Sequence, residues 1–132
     1  MIITTNDYER LTRLPQPSSL KTQIPNIHLM LNESLKEAKL IAQEKISKNV
    51  ITMNSRVVLK HLDTNLTIEL TLAYPKDADA SKLKVSIFSY VGVALLGRQV
   101  GDETSWNTPS GNGRFKILKI TYQPEAVGDF SL

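Results

Sequence analysis

Apolar positions keep a helical spacing up to about residue 50 and a spacing of two after it, which divides the chain into an expected helical part, 1–49, and an expected sheet domain, 50–132. Tyr8, Leu11 and Leu14 recur every third position behind a capping-box-like Asn6-x-x-Glu9, and Pro15 bars continuation, so the pattern predicts a short helix over 6–14. At 1.5 Å per residue it would be roughly 13 Å long. Asn26 can cap a longer second helix. In it Ile27, Met30, Leu31, Leu35, Ala38, Ile41 and Ala42 form one apolar stripe, opposite Glu33, Lys36, Glu37, Gln43, Glu44 and Lys48. The connection from Pro15 to Pro25 holds three prolines and should be extended. The two helices then make a short antiparallel, coiled-coil-like hairpin with this connection at its tip.

Beyond residue 50, Leu66, Ile68, Leu70, Leu72 and Tyr74 alternate with Thr67, Glu69, Thr71 and Ala73, the signature of a strand with one wet face. Arg56 to Leu62 reads as its hairpin partner across Asp63-Thr64-Asn65, and Leu83, Val85 and Ile87 as a further strand. Val91, Ala94 and Leu95 predict a short helix stopped at Gly97, after which Gly101-Asp102 turns into a strand carrying Trp106. Pro109 to Gly113 supplies a last hairpin turn into a strand over 114–122, whose alternation slips between Ile117 and Leu118 as a bulge would make it. The expected fold class is α+β: the helical hairpin, then an antiparallel sheet of about five strands crossed by one short helix. No internal repeat is visible.

Composition narrows the functional classes. In 132 residues there are 16 Lys and Arg, 13 Asp and Glu, two His and no Cys. Without cysteine there is no disulfide, thiol nucleophile or thiolate metal site, a usage that suits a reducing, cytoplasmic location. The first 15 residues include Asp7, Glu9, Arg10 and Arg13 and lack a signal-like apolar stretch, and no run approaches the ~20 apolar residues of a membrane span. A net charge of +3 argues for nucleic-acid binding only if the cations cluster, and along the sequence they do not: residues 1–49 carry seven basic and five acidic side chains, the rest nine and eight.

Candidate chemistry is sparse. His28 and His61 have no Asp, Glu or second His at metal-ligand spacing. The Pro109-Ser110-Gly111-Asn112-Gly113 loop precedes a strand, not the helix N-terminus that concentrates positive potential on a phosphate, and Ser110 has no base beside it in sequence. No catalytic, cofactor-binding or metal-binding residue is nominated. Two features point to recognition. Phe88, Ser89, Tyr90 and Val91 join a strand to the short helix, where apolar side chains either close the core or form a contact surface. From Arg10 to Asn32, 23 residues contain Arg10, Arg13 and Lys21 and no carboxylate.

Val91-Gly-Val-Ala-Leu-Leu-Gly-Arg-Gln-Val-Gly-Asp102, followed by Trp106 and Pro109-x-Gly111, resembles the C-terminal domain of the Gre transcript-cleavage factors, a domain of FKBP-like fold. Val50 to Val57 and Tyr122 to Phe130 are more similar still to the Gre-related branch named for regulation of nucleoside diphosphate kinase, the Rnk proteins. The resemblance covers 50–132 closely and the N-terminal hairpin in layout.

The resemblance implies a partner, RNA polymerase, with the sheet domain seated on the rim of its secondary channel and the hairpin directed inward. Acidic residues at a Gre tip help hold catalytic magnesium, because a hard cation needs oxygen ligands. At the expected tip this chain has Ser18, Ser19, Lys21 and Thr22 instead. At the rim-contacting site the Gre pattern is an acidic or amide residue, Ser, then Pro. Here Phe88, Ser89 and Tyr90 stand, with Ser89 alone retained. The expectation is a non-enzymatic regulator that competes with cleavage factors and does not stimulate cleavage, with no cofactor, no membrane partner and no direct sequence-specific contact to nucleic acid. The alternatives are regulation of nucleotide metabolism, with nucleoside diphosphate kinase reached through another protein contact, and a prolyl isomerase, which would need an aromatic-lined cleft in a chain only 6% aromatic.

Overall fold

A computed structural model of the chain describes residues 2–13, 27–108 and 111–128. Strand β1 (Ile2–Thr4) leads directly into helix α1 (Thr5–Thr12). The cap is Thr4 and not Asn6: its hydroxyl accepts the Asp7 N–H at 3.1 Å, so the helix starts and ends one to two residues earlier than the sequence suggests. Helix α2 (Ile27–Lys36) buries Ile27, Leu31 and Leu35, one residue per turn, and leaves Leu29 and Met30 exposed.

The second helix is shorter than expected. After Lys36 the chain extends, and β2 (Lys39–Ile41) pairs in parallel with β1, Ile2 opposite Lys39 and Thr4 opposite Ile41. The apolar positions at 38, 41 and 42 fit a helical stripe, but residues 39–41 instead satisfy the backbone groups of β1, which a further helical turn would leave unpaired. The N-terminal part is therefore two short helices and a two-stranded parallel sheet, where the sequence pattern predicts a short first helix and a longer second one. The expected connection 15–25, with Ser18, Ser19, Lys21 and Thr22, lies outside the described residues.

Five further strands form the main sheet: β3 (Arg56–His61), β4 (Thr67–Ala73), β5 (Lys84–Ser86), β6 (Glu103–Thr108) and β7 (Gly111–Tyr122), in the order β5-β4-β3-β7-β6. Helix α3 (Tyr90–Leu95) crosses the core side. Three of the four pairings are antiparallel, but β5 joins β4 in parallel, Thr71 opposite Lys84, which corrects the expectation of a wholly antiparallel sheet. Alternation identifies the buried face of a strand but not its direction, and the direction here follows from two 3-10 turns after Pro75 that bring the chain back along β4. The slip read near Ile117 is a bulge: Leu59 faces Ile117 while Val58 faces Lys119, and a second register shift lies between Val57 and Arg56.

One core spans both parts of the chain. Ile3, Leu11, Leu31 and Leu35 pack in the same cluster as Met53, Leu59, Leu72, Ile87, Leu95 and Ile117. Among the described residues no helix is long and apolar enough to cross a membrane.

Candidate interaction site at the strand-helix junction

Ser89 fixes the junction between β5 and α3. Its hydroxyl donates to the Ser86 carbonyl at 2.6 Å and accepts the Gly92 N–H at 3.0 Å, which makes it the N-cap of α3. The Ser86 hydroxyl in turn accepts the Phe88 N–H. Gly92 is required by this close approach, because a Cβ there would collide with the Ser86 carbonyl oxygen and lie 2.8 Å from the Ile87 Cα. The four candidate residues divide into different roles. Phe88 and Val91 pack against the core, Ser89 is occupied by capping, and Tyr90 faces a groove.

That groove, about 540 Å³, lies between α2, α3 and β6. Met30, Tyr90, Val93 and Trp106 give it an apolar lining, and Arg98 and Glu103 supply charge at its margin. The Trp106 ring stacks on Phe115 at 3.9 Å between centroids and 1° between planes, while His61 meets the Phe115 edge at 4.8 Å. Trp106 stands opposite Gly113, whose missing side chain leaves room for the Phe115 ring. Thr104 and Arg98 both donate to the Ala94 carbonyl at 3.3 Å, so the last turn of α3 is tied to the groove floor.

The most perturbed carboxyl was not singled out by its sequence context. Asp7 is 3% exposed; Oδ2 accepts the Met53 N–H at 3.0 Å and Oδ1 accepts the Tyr74 hydroxyl at 3.4 Å. Burial raises its pKa to about 6, and the charge of Glu125 pushes the same way, against the Met53 hydrogen bond, Arg10 and Tyr74. Burial and the neighbouring Asp7 also push the Tyr74 hydroxyl up, so it stays protonated as the donor. Glu125 is itself held by the Thr52 hydroxyl at 2.6 Å. The network joins α1 to the strand region and the C-terminal turn, which identifies it as a tertiary fastener.

The remaining candidates have local roles or fall outside the described residues. The His61 ring nitrogen Nδ1 accepts the Thr64 N–H at 3.3 Å across the β3–β4 turn, a structural contact. The His28 side chain, Pro109, Ser110 and residues 129–132 are outside the described residues. Among the described residues no three His, Asp or Glu side chains are grouped to hold a metal ion.

The fold just described is similar to that of a known family. The model of the GreA/GreB transcription elongation factor C-terminal region matches residues 46–122. The chain belongs to the GreA/GreB family. Over its whole length it is 37% identical to the "Regulator of nucleoside diphosphate kinase" of Escherichia coli strain K12, covering 96% of that protein. It is 34% identical over 90 residues to the transcription elongation factor GreA of Clostridium acetobutylicum, a match spanning 68% of this chain and 57% of that one. A GreA/GreB-family elongation factor structure from Nitrosomonas europaea superimposes with a TM-score of 0.73 at 36% identity, over 92% of this chain and 98% of that one. This family member thus has a mixed α+β fold with a curled sheet and few helices, and its relatives are regulators and transcription factors.

Proposed function

We propose that the chain is a non-enzymatic transcription regulator that binds RNA polymerase near the secondary channel, competes there with Gre cleavage factors and does not stimulate transcript cleavage. The observation that carries this reading is the 23-residue interval from Arg10 to Asn32, which holds three cations and no carboxylate in a chain otherwise of the GreA/GreB family. A cleavage factor needs oxygen ligands for a second magnesium ion, and Lys21 would repel one. The length of α1, eight residues or about 12 Å, also suits a protein that occupies the channel entrance and not its depth.

In this reading residues 50–132 form an FKBP-like domain seated on the rim, and residues 1–49 form the short hairpin-like element with Ser18, Ser19, Lys21 and Thr22 at its tip. The contact is centred on Phe88, Ser89, Tyr90 and Val91. Tyr90 is its anchor, because it is the aromatic ring of the four that lines the groove, and aromatic anchors dominate interface energies. A competition assay tests the reading: labelled GreA on core polymerase should be displaced by this chain, and backtracked complexes should remain uncleaved. Tyr90→Ala should weaken the competition roughly tenfold, about 1.4 kcal/mol. Cleavage at a Gre-like rate would overturn the regulator reading, and unchanged competition by the variant would remove the Tyr90 contact.

A second reading has a specific observation in its favour, the full-length similarity to a protein named as a regulator of nucleoside diphosphate kinase. Here the chain acts on nucleotide metabolism through a protein contact. Purified kinase and tagged chain, mixed with and without core polymerase, separate the two: retention of the kinase without polymerase favours the second.

A further inference from the structure

The cations of the sheet domain are scattered in sequence, yet folding collects most of them on one surface. Of the nine basic residues after position 49, six fall by register on the face of the sheet opposite that of the buried Val57, Leu59, Phe115 and Ile117: Arg56 and Lys60 on β3, Lys84 on β5, and Arg114, Lys116 and Lys119 on β7. The register arranges them in rows across the sheet. Lys84, Thr71, Arg56 and Tyr122 form one row; Glu69, Val58 and Lys119 the next; Thr67, Lys60, Lys116 and Glu103 a third. Helix α3 and the shared core lie on the opposite side of the sheet.

Carboxylates within the described residues answer only part of this charge. Glu69 and Glu103 are the carboxylates in those rows, and Glu69 already accepts the Thr121 hydroxyl at 2.9 Å. Arg114 pairs with Asp63 at 3.5 Å, and Lys84 lies near Asp79. Arg56, Lys60, Lys116 and Lys119 have no ion pair within 4 Å among the described residues. Lys60 and Lys116 stand directly opposite one another, where like charges repel across a strand pair. The bulge adds Leu118, an exposed apolar side chain, next to Lys119.

From this uncovered face we infer that the outer surface of the sheet binds single-stranded RNA through its phosphate backbone, independently of sequence. Cations spread over three strands, with hydroxyls of Thr67, Thr71 and Ser105 between them, can follow a flexible single strand lying across the sheet. A rigid duplex would touch such a face along a line and reach fewer of them. Val58 and the exposed Leu118 give bases an apolar place to rest, which needs no hydrogen-bond readout. This surface is distinct from the junction at Ser89 and Tyr90, so it would leave that junction free.

The test is fluorescence anisotropy of a labelled 12-nucleotide RNA with the full chain, without polymerase, so that its outcome is independent of the regulator reading. Contact with about four phosphates gives a slope of roughly −3 in log K against log salt, and so a loss of about 50-fold between 50 and 200 mM salt. Lys60→Glu with Lys116→Glu should bind at least tenfold more weakly and flatten the slope by about 1.4. Should that variant not fold by circular dichroism, Arg56→Gln with Lys119→Gln provides the same readout. Absence of binding at 50 mM salt, a folded variant that binds like the parent, or equal binding of duplex DNA or of a polyglutamate peptide would each overturn the inference.

Discussion

Asp7 shows how far one residue's chemistry can depart from its sequence context. As an acid in the first turn of a helix it reads as a favourable dipole contact, but its burial is fixed by Met53 and Tyr74, 46 and 67 residues away. No local pattern encodes contacts at that separation. The consequence is a pH dependence of definite sign. The folded carboxyl titrates near 6 and the unfolded one near 3.8, so between those values the folded chain retains a proton that the unfolded chain has released. Its contribution to stability is complete below pH ~4 and is lost as pH rises through 6, by roughly 3 kcal/mol at most. Asp7→Asn removes this titration. Its urea midpoint, compared with that of the parent, should be relatively higher at pH 7.5 than at pH 4.5; a difference equal at both values would contradict the assignment.

At the scale of elements, the test is how tightly α3 is fitted to the strand before it. Gly92→Ala puts a methyl group against the Ser86 carbonyl and the Ile87 Cα, both backbone, so the helix must shift and pull on the Ser89 cap. The expected cost is roughly 1–3 kcal/mol, read as a lowered melting temperature, and an unchanged melting temperature would mean that the junction yields easily. The sequence makes this region legible because Val91, Ala94 and Leu95 have helical spacing and Gly97, at φ +80°, ends the helix as expected. Strands β3, β4 and β7 were equally readable, down to the bulge beside Leu118, because each is long enough for its period of two to show. β5 has only three residues but is legible because Leu83 and Ile87 extend its alternation on either side; β1 has no such flanks, and β2 is hidden in a helical stripe that Ile41 and Ala42 happen to continue. The candidate site was legible in part: the sequence located the junction, but only folding distinguishes Tyr90, at the groove, from Phe88 and Val91, at the core.

For the molecule as a whole, what matters is whether the N-terminal elements are an appendage or part of one cooperative unit. Period alone puts a boundary near residue 50, since it detects where helix gives way to strand and is blind to packing between the two. The core crosses that boundary: Leu11 of α1 and Leu35 of α2 lie in one buried cluster with Met53, Leu72 and Leu95, and Asp7 is bonded to the Met53 backbone. Leu11 is 4% exposed, so Leu11→Ala leaves a cavity at the seam worth roughly 2–5 kcal/mol. Trp106, the single tryptophan, sits in β6, where its ring stacks on Phe115 of β7 and lines the groove beside α2. If the core is one unit, Leu11→Ala lowers the unfolding midpoint seen by Trp106 fluorescence as much as the midpoint seen by far-ultraviolet circular dichroism. A fluorescence midpoint that stays in place while the dichroism midpoint falls would show the N-terminal elements melting alone, and with them the fastening of α1 through Asp7 would lose its energetic meaning.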